Sequence, residues 1–214
     1  MEASDISFPS SPVWSLQTPE DLVGRIFSNR EDFIFGMNLV AVCAALFPEV
    51  RILTFTLLSN RLIFLLAGDI GSVEKYFQAY KKRLRRYLAN RVRYPDLARL
   101  EPGLQRIPDL PTLRQEIVRI NRIGAAGRRE YTPYSYPWSA GVLYFNPLLL
   151  KLPKVPFDSL SQEERRGITR SRLLPLPRSY LVYQGIIAPS SYCAIAEGEA
   201  CFRDAQEYFR LLSR

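Results

Sequence analysis

Histidine is absent from all 214 residues of this chain. Cysteine is scarce too. Cys43, Cys193 and Cys201 are odd in number and lack CxxC spacing, so no four-ligand zinc site can be completed from Cys and His, and the three are expected to be reduced and buried. No apolar run is long enough to cross a bilayer, which needs ~20 residues; the longest extends only from Met37 to Phe47. The amino terminus, Met1-Glu2-Ala3-Ser4-Asp5, is acidic and lacks the basic and apolar regions of a secretory signal. A cytoplasmic protein without membrane association is therefore expected.

What the chain does have is positive charge. Lys and Arg number 29 against 21 Asp and Glu, for a net charge of +8 and a pI near 9.6, a balance that favours polyanionic partners. Hydrophobic and charged contents of 47% and 23% are ordinary for a globular protein, and the length suits one domain with an appendage. The Ser- and Pro-rich residues 1–12 predict a poorly ordered arm, residues 13–150 a main domain, and the proline-broken residues 151–214 a mainly helical extension packed on it.

Within the main domain the hydrophobic periods alternate. Val13–Leu16 reads as a short strand. Ser28-Asn29-Arg30-Glu31 has the form of a capping box, and Phe33, Met37, Val40, Ala44 and Phe47 then repeat at helical spacing to give one buried face. Apolar runs at Val50–Leu58 and Leu62–Ala67, separated by Ser59-Asn60-Arg61, read as a hairpin. Ser72 can cap a second helix whose stripe is Val73, Phe77, Tyr80, Leu84 and Leu88, with Lys75, Lys81, Lys82, Arg83, Arg85 and Arg86 around the rest. A weaker strand falls near Leu104–Ile107, and a third helix over Thr112–Asn121 carries Arg114 and Arg119, with Arg122 just beyond. Ser161 and Glu164 form a capping box in the extension, and Cys201, Ala205, Tyr208 and Leu212 share a face of a terminal helix. The order strand, helix, hairpin, helix, strand predicts an α+β, ferredoxin-like antiparallel sheet with helices packed on one face.

The hairpin reads Leu58-Ser59-Asn60-Arg61-Leu62-Ile63-Phe64, and strand geometry puts residues 61 and 63 on one face. In frame and serial order, residues 13–145 resemble the single-tyrosine HUH transposases, including the REP-associated tyrosine transposases. The resemblance rests on that hairpin, on the helices either side of it, on Ile117-Val118-Arg119-Ile120-Asn121 and on Tyr136-Pro137-Trp138-Ser139. It implies that positions 61 and 63 correspond to two metal-binding histidines, here Arg61 and Ile63, and position 117 to the tyrosine nucleophile, here Ile117. Asn121 remains, four residues on and on the same helical face.

In that family tyrosine attacks a phosphate of single-stranded DNA while the metal polarises it. Without nucleophile or ligands, the resemblance implies a protein that needs no metal or cofactor and does not cut. Its expected partner is single-stranded or hairpin DNA, held by Lys75, Lys81, Lys82, Arg83, Arg85, Arg86, Arg91 and Arg93, with Arg114, Arg119 and Arg122. Family members occur as monomers and dimers, so a homodimer stays open. Two other readings compete: a rewired strand-transferase using Arg61, Asn121 and one of Tyr131, Tyr134 and Tyr136, and a scaffold making protein contacts alone. Tyr136 and Trp138 are expected to serve as a packed anchor.

Overall fold

Short apolar runs punctuated by turns build the sheet. In a computed structural model that describes residues 8–20, 24–89, 97–126, 128–171 and 176–213, strands β1 (Val13–Gln17), β2 (Arg51–Leu57), β3 (Leu62–Ala67) and β4 (Gly103–Ile107) form an antiparallel sheet in the order β2-β3-β1-β4. Helix α1 (Arg30–Leu46) joins β1 to β2, and α2 (Ile70–Leu88) joins β3 to β4. This is the ferredoxin-like arrangement that the sequence predicts. Residues 1–7 of the expected arm lie outside the described residues; Phe8 packs against the core.

Alternation along β2 and β3 separates two sets of partners. Phe64 meets Tyr76 and Tyr80 of α2 edge-on, at centroid distances of 6.0 and 5.6 Å, and the Tyr80 hydroxyl donates to the Gly36 carbonyl of α1. Thr54 and Thr56 point the other way, to α3 (Leu110–Ile123). Thus α1 and α2 cover one face and α3 the other. Apolar side chains fill both layers, and each fully buried Leu, Ile or Phe contributes about 1.5–3 kcal/mol.

The longer helices start at side-chain caps close to, but not always at, the expected residues. Asn29 rather than Ser28 caps α1, its carboxamide accepting from the Asp32 amide at 2.9 Å, while Asp32 accepts from the Ser28 amide at 2.9 Å. Asp69 rather than Ser72 caps α2. Asp109 caps α3, with Pro111 in the first turn, where a missing N–H is tolerated. The Ser161–Glu164 capping box forms as predicted, at the start of α5 (Gln162–Thr169).

The C-terminal extension holds a small sheet as well as helices. After α4 (Pro147–Leu150), strands β5 (Val155–Pro156), β6 (Leu181–Tyr183) and β7 (Ile186–Ile187) pair in sequence order and pack on α1, with α6 (Ile195–Glu199) and α7 (Ala205–Leu212) completing the chain. This explains why α1 is buried nearly all round, beyond the single stripe its sequence suggests. The carboxamide of buried Asn38 stands in for a missing strand beside β7, accepting from the Ile187 amide at 2.8 Å and donating to the Gly185 carbonyl at 2.9 Å. The outer edge of β2 is covered likewise. The Leu57 amide donates to the Trp138 carbonyl, the Ala140 amide to the Phe55 carbonyl and the Ala194 amide to the Ile52 carbonyl, at 2.9, 3.1 and 2.8 Å. Among the described residues no helix is long and apolar enough to cross a membrane.

Candidate functional site

Helical spacing aims Ile117 and Asn121 at the sheet from α3, and strand alternation aims Ile63 at α3. The structure therefore brings these three positions to one side of the sheet, with Arg61 at its end. Ile63 and Ile117 are fully buried in the core. Asn121, 1% exposed, accepts from Thr54 Oγ1 at 2.5 Å and donates to the Tyr208 hydroxyl at 2.9 Å, so α7 closes over it. Behind it, a Cβ at Gly141 would stand 2.6 Å from Asn121 Cγ, which leaves no room for a ligand.

Arg61 turns away to a polar network linking β1 to α3. Its guanidinium donates to Glu20 and, at 2.6 Å, to Gln17 Oε1. Gln17 Nε2 and Ser15 Oγ donate to Glu116 Oε1 at 3.3 and 2.5 Å, and Arg119 grips Glu116 through two hydrogen bonds of 2.7 Å. Burial pulls the Arg61 pKa below its ordinary value, and the neighbouring Arg119 charge lowers it further. Burial pushes the Glu116 carboxyl up, but bonds from Arg119, Ser15 and Gln17 outweigh it and hold the group below the usual carboxylate range. Two guanidiniums thus face two carboxylates.

The tyrosines near Ile117 are occupied as well. Tyr136 is fully buried, its hydroxyl donating to the Leu57 carbonyl at 2.7 Å; burial pushes its pKa up to about 12, against the lowering effect of Arg128. It packs with Tyr131 edge-on, and Trp138 stacks on Phe33 at 4.9 Å, as the expected anchor requires. Tyr134 is 40% exposed and shares a hydrogen bond with the Ser213 hydroxyl.

The basic residues divide between the two sides of the sheet. On α2, Lys75, Lys82, Arg85 and Arg86 are exposed, Arg83 is half-buried, and Lys81 is ion-paired to Glu101. Lys82, Arg85 and Arg86 have no ion pair among the described residues. Arg85 and Arg86 occupy the last turn, where cations complement the helix dipole. Arg91 and Arg93 lie outside the described residues. On the opposite face, Arg114 donates to the Cys201 carbonyl and pairs with Glu207, Arg119 is held by Glu116, and Arg122 is exposed.

Sequence reasoning passed over a cleft of about 820 Å³ between the start of α1, residues 128–154 and the β6–β7 hairpin. Its aromatic residues were visible as a Tyr- and Trp-rich stretch, but its far wall comes from the extension. Among the described residues no cluster of three or more Cys, Asp or Glu could hold a metal ion. No protein-family model matches the chain, and neither a curated protein nor a solved structure is detectably similar to it. The resemblance to single-tyrosine transposases thus rests on the residues that carry it.

Proposed function

We propose that this protein is a catalytically silent relative of the single-tyrosine transposases that holds hairpin or single-stranded DNA on the exposed face of α2. The observation that carries the reading is the distribution of charge neutralisation. On the α3 side Arg61, Arg119 and Arg114 are paired with Glu20, Glu116 and Glu207 and of these four cations Arg122 alone is exposed, whereas on α2 Lys82, Arg85 and Arg86 all point to solvent without a carboxylate among the described residues. Cations in that state release counterions from a phosphate backbone on binding, which makes affinity fall steeply with salt. The absence of catalysis follows from Ile63 and Ile117, whose places in the core leave neither ligand nor nucleophile where the family's chemistry requires both.

Fluorescence anisotropy with a labelled DNA hairpin bearing a single-stranded tail, across a salt series, tests the reading. Wild-type affinity is expected to fall linearly on a log–log plot. The K82E/R85E/R86E triple variant should bind more weakly and with a slope shallower by about 2–3, from ~0.7–0.9 per phosphate contact. Binding that ignores salt, or a triple variant that binds as the wild type does, would overturn it. A covalent protein–DNA adduct trapped on single-stranded DNA would restore the strand-transferase reading.

A further inference from the structure

The cleft beside the start of α1 combines two properties seldom found together by accident. Aromatic residues line it: Tyr134 is 40% exposed, and beside it Trp138, stacked on Phe33, is 8% exposed. Its charge is one-sided. Arg30, Arg128 and Lys154 line it against a single carboxylate, Glu130.

None of the three cations is ion-paired among the described residues, and each is kept from a carboxylate in its own way. Lys154 Nζ donates to the carbonyls of Leu149, Leu150 and Leu152 at 3.1, 2.8 and 3.3 Å, which holds the ammonium in place while leaving its charge intact. Arg128 lies 5.2 Å over the Tyr136 ring, a cation–π arrangement that likewise retains the charge. Arg30 is exposed at the first residue of α1. A volume of about 820 Å³ falls within the ~300–1,000 Å³ typical of small-ligand clefts.

We propose that this cleft binds a nucleotide, an aromatic base stacking beside Tyr134 and the phosphate meeting Arg30, with the fixed charge of Lys154 on the same cleft adding to the attraction. Stacking on an aromatic side chain is indifferent to base identity because every base offers a π-face. A purely apolar ligand would leave the three unpaired cations without a counter-charge, and an anion without a ring would leave the aromatic lining unused. The inference rests on the DNA-binding reading for one of two sources of that ligand: an unstacked nucleotide of a bound strand, or a free mononucleotide. It adds a second place of contact, formed with the extension and separate from α2.

Trp138 is itself the reporter, since the only other tryptophan is Trp14 in β1. In a Trp14→Phe background, dAMP is titrated against Trp138 fluorescence, with adenosine and inorganic phosphate as the two halves of the ligand. Saturable quenching by dAMP is expected, at least tenfold weaker with adenosine and absent with phosphate. Arg30→Glu should weaken dAMP binding at least fivefold, and Tyr134→Ala should weaken it comparably. K82E/R85E/R86E should leave it unchanged.

A hairpin with an unpaired loop that also quenches Trp138, where a blunt duplex of equal length does not, identifies the strand as the source. Quenching by dAMP alone identifies the free nucleotide. Absence of quenching by dAMP and by the looped hairpin, with salt-dependent hairpin binding intact, overturns the cleft inference and leaves the α2 reading standing. Quenching by dAMP with no hairpin binding at low salt does the reverse. Equal quenching by adenosine and dAMP, unmoved by Arg30→Glu, refutes the phosphate contact.

Discussion

Asn121→Ala probes how completely the side of the sheet beneath α3 is interior. The substitution removes two hydrogen bonds and strands two hydroxyls, those of Thr54 and Tyr208, both on fully buried residues. Each bond lost to a stranded buried partner costs about 1–3 kcal/mol, so the sum is roughly 2–5 kcal/mol. At roughly 2–4 °C per kcal/mol for a chain of this size, the midpoint should drop by about 4–20 °C. Urea unfolding followed by circular dichroism gives the free energy directly.

The double variant sharpens the test. Tyr208→Phe alone strands the Asn121 amide, but in the Asn121→Ala background it strands nothing, so the two losses should couple by about 1–2 kcal/mol. An Asn121→Ala loss below about 1 kcal/mol, or additive single and double variants, would refute the claim that Asn121 is a closed structural link.

Other perturbations give sharper signs than magnitudes. Because the Glu116 carboxyl sits below its ordinary value of 4.5 in the folded protein, its contribution to stability is present above 4.5 and lost as pH falls through the lower folded value. Glu116→Gln should therefore flatten the acid limb of a stability–pH curve in that window and cost stability at neutral pH, read by thermal melts from pH 3 to 7. A Cβ at Gly124 would stand 2.0 Å from Tyr136 Cδ1, a ring tethered through its hydroxyl, whereas one at Gly167 in α5 meets nothing within 4 Å. Gly124→Ala should destabilise by about 3 kcal/mol or more, and Gly167→Ala should stabilise by about 0.5–1 kcal/mol.

The sheet and its helices were legible because each carries its period openly: β2 and β3 as apolar runs around a turn, α2 and α3 as stripes with charges opposite. The caps of α1 and α2 were misplaced by one and three residues, since Ser28, Asn29, Asp69 and Ser72 are all competent and only backbone geometry chooses among them. The extension's sheet stayed hidden because β5 and β7 are two residues long and β6 is three, too short for any period to register. The clustering of positions 61, 63, 117 and 121 followed from the frame of the resemblance. The contacts that fill that place did not, because Ser15 and Glu116 meet across 101 residues of sequence and Asn121 and Tyr208 across 87. No local pattern encodes such pairs.

The covering of β2 has a consequence for the order in which the chain is made. Its edge is covered first by Trp138 and Ala140 and is finished only at Ala194, well over half of the chain after β2 itself. At a synthesis rate of about 5–20 residues per second, a ribosome releases β2 on the order of ten seconds before its last cover arrives. During that interval an apolar strand with an unpaired edge is open to any neighbouring chain, and so the nascent protein, rather than the finished one, is where a need for chaperones is concentrated.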